Sequence, residues 1–383
     1  MSFLQATLRD HATIGCGQSA PPKNHLSSQG IPFIRASSLP FLLGDGKVEE
    51  LEHITSEMNK TLNMKLYSKG SILFAKSGIS ATSGKIYQIK QDSHVVNHLA
   101  IVEANTTTLD SRYLMYWLKH RPPTYLIRDQ AYPSIRLSDI ENIKLPLPKL
   151  AEQKRIADIL DKADLLRKLY TQRQKRIEHL FHATFLELFG DPLINSKGWK
   201  VNTLGNVCDL SQGIQVRTHL QSSEPYEGTT RFLRIVDYTQ VIDQHRYIKT
   251  PPSKYMIQTH ELALVRYGAS CGFVCTGLEG ALANNMFKVT PKAFINQTFL
   301  TYFLKNHKIQ QLIKSFNASS TMPALSFKTI KTIPMIQPPV DLQERFAQAV
   351  AQITALKKHN TNAQAKANDA FKSLLQRAFK GEL

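Results

Sequence analysis

At 383 residues and 42% hydrophobic content, the chain has room for roughly two or three globular domains. Its 48 Lys and Arg residues outnumber 30 Asp and Glu, a formal net charge of +18 that makes a polyanion the natural partner. Four cysteines are too few for a disulfide framework, no apolar run approaches a membrane span, and the opening "MSFLQATLRDHATIG" lacks the apolar core of a signal peptide; a soluble, cytoplasmic chain without membrane contact is expected.

In chain order, residues 1–149 read as a β-rich block. Short strand-like runs ("IPFIR" at Ile31, "SILFAKSG" at Ser71, "NHLAIV" at Asn97) are broken by Gly, Ser, Asn and Pro, and one helix, "YLMYWLKH" at Tyr113, stands near the end. The "GCG" of Gly15–Gly17 has no following glycine and reads as a loop. Residues 150–190 read as one long helix. The prolines of "LPLPK" bar a start before Leu150, and in "FGDP" Gly190 suits a left-handed cap while Pro192 prevents continuation. Residues 191–339 form a second β-rich block ("TRFLR", "ELALVRYG", "NNMFKV", "FLTYFLKN"), and residues 340–383 a second long helix.

The second half repeats the first. At an offset of 190, Tyr132–Phe189 falls on Met322–Phe379 without a gap, and Pro133/Pro323, Gln153/Gln343, Arg155/Arg345, Phe181/Phe371 and Phe189/Phe379 are among the identities. The expected fold class is therefore α+β: two β-rich domains in pseudo-two-fold repeat, joined by two long antiparallel coiled-coil helices. The first seam is read through Ile159, Ala163, Leu166, Tyr170, Arg173, Ile177, Leu180 and Thr184, and the second through Ala349, Ile353, Leu356, Asn360, Ala363, Ala367, Ala370 and Leu374. Arg173 and Asn360 would be the polar interruptions that set register.

Enzymatic tools are missing from the sequence. No Walker-type loop, H-E-x-x-H helix or Cys/His zinc cluster appears, and none of the Pro-Pro pairs sits in the Asn/Asp-Pro-Pro-aromatic loop of a base methyltransferase. The chain reads as non-catalytic and without a metal or cofactor of its own. A nuclease with widely spaced carboxylates is the rival reading.

"LPLPKLAEQKRIADILDKAD…FLELFGDP" resembles the central region of the specificity subunits of type I restriction–modification systems, and "PPVDLQERFAQAV…LLQRAFKGEL" is similar to their C-terminal repeat of it. The second copy has "DLQERF" in place of "AEQKRI". The resemblance implies a DNA-recognition subunit that neither methylates nor cuts. Residues 1–149 and 191–339 would be target recognition domains, each reading one half of a bipartite sequence. Helices 150–190 and 340–383 would set the spacer and dock two modification (methyltransferase) subunits. S-adenosylmethionine, ATP and magnesium would belong to those and to the restriction subunits. A related system cutting on both sides of its site is a further alternative.

Lys76 and Arg266 are equivalent in the repeat, each ending an apolar run shortly before Gly78 or Gly268. They are the leading DNA-facing candidates, with Arg266 suited to guanine. Arg35 and Arg234 end "IPFIR" and "TRFLR"; either DNA contact or a structural ion pair would suit them. Tyr132, Ser134 and Arg136 before the first long helix, and Ser319, Ser320 and Thr321 before the second, lie in loops that could touch DNA, and Lys85 and Tyr267 complete the set. Glu152, Gln153, Arg155, Gln343 and Arg345 at the helix starts are candidates for partner docking.

Overall fold

The computed structural model describes residues 3–241, 243–316 and 324–383. The chain divides into two compact units: Met1–Thr171 with Asn362–Leu383, and Gln172–Thr361. Each unit thus takes one β-rich block, the nearer part of one long helix and the farther part of the other.

In the first unit, the described residues form a four-stranded antiparallel sheet in the order Ala12–Cys16, Leu99–Ala104, Ile72–Ala75, Ile86–Gln88. Ile72–Ala75 is buried along its whole length, which explains its unbroken apolar run. A smaller sheet places Ile31–Ile34 antiparallel to His53–Ile54 and parallel to His94–Val95. Gln5–Thr7 pairs with Lys144–Pro146, closing the block just before the long helix. The second unit repeats this plan. Cys208–Gln212, Met286–Pro291, Leu262–Val265 and Val274–Thr276 give the same four-strand order. Thr229–Leu233 again has one antiparallel neighbour, Tyr247–Lys249, and one parallel neighbour, Gly280–Leu282. Lys200–Thr203 pairs with Pro334–Gln337 at the block's close. The duplication read in the sequence is therefore one of topology, including the parallel pair.

Of the "GCG" glycines, read as a loop, the first is in a strand and the second lies just past its end. Gly15 lies within Ala12–Cys16. A Cβ on Gly17 would meet the Val95 carbonyl oxygen at 2.0 Å, and one on Gly213 the Ala283 carbonyl oxygen at 2.2 Å. Each glycine lets the chain cross the end of the parallel pair at backbone contact distance, where any side chain would collide.

The long helices run Leu150–Phe189 and Val340–Lys380. Leu150 is the first residue the prolines permit. Gly190 stops the first helix at φ 73°, with its N–H on the Leu186 carbonyl. Within each unit the helix segments run antiparallel. In the first, the Gln364 amide donates to Thr171 Oγ1 at 2.9 Å and the Arg167 guanidinium lies 4.4 Å over the Phe371 ring. In the second, the Asn360 amide donates to Gln174 Oε1 at 2.9 Å and Lys357 pairs with Glu178 at 2.6 Å.

The seam differs from the sequence reading in one of its two heptad positions. Ala163, Tyr170, Ile177 and Thr184 are buried or half-buried as expected, and so are Ile353, Asn360, Ala367 and Leu374. Leu166, Arg173 and Leu180 are exposed, however, and their places are taken by Arg167, Gln174 and Phe181. In the second helix Leu356 and Ala370 give way to Lys357 and Phe371. The polar residues win because they are mutually satisfied: Arg167 stacks on Phe371 and Gln174 accepts from Asn360. Asn360 is the fully buried polar residue of the seam, whereas Arg173 is exposed.

Candidate nucleic-acid interface

The leading candidates occupy matched backbone positions. The Lys76 N–H donates to the His98 carbonyl at 2.9 Å and its carbonyl accepts from Ile135 at 2.8 Å. The Arg266 N–H donates to Asn285 at 2.8 Å and its carbonyl accepts from Leu325 at 2.9 Å. Each residue leaves a fully buried strand and is followed by a glycine in the left-handed region, Gly78 at φ 72° and Gly268 at φ 83°. The glycine carbonyl then accepts from the third residue on, Ala81 or Cys271, both at 2.9 Å. Space is open at both glycines, so it is the backbone angle that demands them.

This loop meets two others. In the first unit Ser77 bridges to Ser134, and the Gly78 N–H donates to Pro133 at 2.9 Å. Ser77 Oγ and His98 Nδ1 stand 2.8 Å apart, and the Asn97 N–H donates to Gln18 at 2.8 Å. Tyr132 and Ile79, 82% and 85% exposed, flank one cleft with Gly78 and Ser134. Lys85, Ser134 and Arg136 are exposed, and Lys76 is half-buried. In the second unit Tyr267 bridges to Ala324, the Asn284 N–H donates to Ile214 at 3.0 Å, and the Asn284 amide donates to Gln215 Oε1 at 3.3 Å. Ser319, Ser320 and Thr321 lie outside the described residues. The cluster adds Ser77 and His98 in one unit, and Gln215 and Asn284 in the other, to the candidates read from sequence. His98 and Asn284 lie in the strand-like runs "NHLAIV" and "NNMFKV", but only the fold brings them beside Lys76 and Arg266.

Arg35 and Arg234 are engaged within their units. Arg35 Nε donates to Glu52 at 2.7 Å. Arg234 Nε donates to Asp237, whose side chain is fully buried, at 3.1 Å, and its terminal nitrogen donates to the Gln244 carbonyl at 3.0 Å. Their guanidinium groups already have acceptors.

At the helix starts the structure separates the docking candidates. Gln153 is fully buried: its Oε1 accepts from the Asp110 N–H at 2.8 Å, and its Nε2 donates to the Thr108 and Pro148 carbonyls at 3.0 and 2.9 Å. Gln343 does the same with the Asn296 N–H at 2.8 Å and the Phe294 and Pro338 carbonyls at 3.3 and 2.8 Å. Asp110 and Asn296 are N-caps of the helices Ser111–His120 and Gln297–Lys305. The repeated glutamine therefore ties the long helix to the β-rich block, and its polar atoms face inward. Glu152 and Arg155 pair with each other at 2.7 Å near the surface, and Arg345 is exposed. The Arg155 guanidinium holds the Glu152 carboxyl below the usual carboxylate range.

Among the described residues there is no group of three or more His, Cys, Asp or Glu side chains placed to hold a metal ion, and no helix is long and apolar enough to cross a membrane.

The chain is thus a duplicated α+β protein with a matched basic position on each β-rich block and two long helices. The family model for the type I restriction modification DNA specificity domain matches residues 5–179 and again 196–367, and the chain belongs to that family. It is 28% identical to the MjaIX specificity subunit of Methanocaldococcus jannaschii over 37% of this chain and 33% of that one. To the StySPI specificity subunit of Salmonella potsdam it is 24% identical over 65% of this chain and 60% of that one. The matches thus span less than two thirds of these two relatives. To the EcoKI specificity subunit of Escherichia coli it is 23% identical over 94% of this chain and 84% of that one. The type I S subunit of M. genitalium shares the fold, with a TM-score of 0.63 at 16% identity over 99% of this chain and 96% of that one.

Proposed function

We propose that this chain is the DNA-reading subunit of a type I restriction–modification complex and performs no chemistry itself. Each unit reads one half of a bipartite duplex target through the loop cluster around Lys76 or Arg266. The two long helices set the spacer between the halves and dock two modification subunits, leaving Glu152, Arg155 and Arg345 as the accessible docking candidates at the helix starts. S-adenosylmethionine is brought by the modification subunits, and ATP and magnesium by the restriction subunits, in the cytoplasm. The observation that carries this reading is the repetition of one backbone arrangement around one basic residue in both blocks. Phosphate contacts would hold each block in register on the duplex, and base-edge contacts would specify.

Sequencing of methylated bases across the host genome, with and without this gene, tests the proposal. Loss of one bipartite methylated motif is the expected result and would supply the target sequence. An unchanged methylome while the modification gene is expressed, or cleavage or methylation by the purified chain alone, would overturn it.

A further inference from the structure

Arg266 differs from Arg35 and Arg234, the arginines that end "IPFIR" and "TRFLR". Arg35 and Arg234 are spent on carboxylates, whereas no ion pair to Arg266 is formed among the described residues. Its Nε donates to the Leu325 carbonyl at 3.2 Å, and its guanidinium lies 4.8 Å from the Tyr267 ring centre and 5.8 Å from that of Phe327. The side chain is half-buried, and Leu325 also donates its own N–H to the Arg266 carbonyl. The guanidinium plane is therefore held before any ligand arrives. Its two terminal nitrogens have no partner among the described residues.

A half-buried cation without a carboxylate is left wanting an acceptor. A fork with Nε already occupied presents two parallel donors, which match the O6 and N7 acceptors of guanine in the major groove. A phosphate would also accept such a fork, but the contact would then carry no base preference. Lys76, at the matched backbone position, offers a single ammonium on a flexible stem.

We propose that Arg266 is the guanine-reading residue of the unit Gln172–Thr361, with Tyr267 and the Leu325 carbonyl as its positioning groups. This rests on the reading that each unit recognises one half of a duplex target. The ring and the carbonyl lower the ordering cost of binding, so the contact gains selectivity from pre-organisation.

The test selects duplexes from a randomised library with the full-length chain, as the wild type and as Arg266→Lys and Arg266→Ala. It then replaces guanines in the selected target by 7-deazaguanine, which lacks the N7 acceptor. The wild type should select a half-site with an invariant guanine, and 7-deazaguanine there should weaken it roughly tenfold or more. Arg266→Ala should be indifferent to that replacement. Arg266→Lys, which keeps the charge and controls for folding, should retain overall affinity while relaxing the guanine preference. The inference is overturned if no replaced guanine matters in either half, or if both variants weaken all sequences equally, as loss of a phosphate contact would. Absence of any bipartite selection by the wild type would instead remove the functional reading on which it stands.

Discussion

Gln153 and Gln343 show how a single residue type can be repeated for an internal reason. Both lie in the segment that carries the family resemblance, and a docking role was a reasonable expectation from sequence. Burial turns each amide into a three-bond clamp, with two bonds to the N-terminal end of a neighbouring helix and one to the proline carbonyl just before its own helix. Gln153→Ala leaves one N–H and two carbonyls of the first unit short of a partner. It should cost about 2–4 kcal/mol by denaturant titration, with faster amide exchange at Ser111–His120. Gln153→Glu keeps the bond from the Asp110 N–H but loses both donations, so it should also destabilise. Unchanged stability in both variants would return these glutamines to the list of docking residues. Gly17 and Gly213 are a parallel case. Their need is steric, imposed by carbonyls far along the chain, and so is invisible in a three-residue motif.

At the scale of elements, the long helices were legible in start, stop and period, because proline geometry and heptad spacing are local properties. Their seam was only half legible. An apolar count favours Leu166 and Leu180 over Arg167 and Gln174, yet the partner helix offers Phe371 and Asn360 to the polar pair. Asp164 extends this polar character. Burial by itself would raise its pKa, but Lys119, Lys168 and Arg167 around the carboxylate hold it below the ordinary 3.8. A depressed carboxylate stabilises the fold above its unfolded pKa, and that stability is lost as pH falls through the lower folded value. Asp164→Asn should therefore lower stability at pH 7 by about 1–2 kcal/mol, after allowing for solvent around Arg167 and Lys168. Melting curves of variant and wild type should converge as the pH drops below roughly 4. Parallel curves down to pH 3 would mean that the carboxylate contributes no charge-dependent stability.

For the whole molecule, the +18 charge and the duplication together set the expected binding behaviour. Affinity for duplex DNA should fall steeply with salt, and removal of a phosphate contact should reduce the slope of log K against log salt by about one. If the units are independent readers, Lys76→Ala should weaken recognition of one half-site and Arg266→Ala the other. Competition binding with targets altered in one half at a time measures this. Equal loss on both halves from either variant would argue against separate readers.

The sequence by itself determined the duplicated α+β plan, the two long helices and the matched basic positions. Each of these follows from short-range rules: strand and helix periods, proline and glycine stops, and a repeat that aligns without a gap. Only the tertiary structure decided which polar residues are spent and which are free. Arg35 finds Glu52, Arg234 finds Asp237, and Gln153 finds backbone more than forty residues away, while Arg266 keeps two donors without a partner among the described residues. Pairing of this kind depends on distances between segments remote in the chain, and no local pattern encodes it.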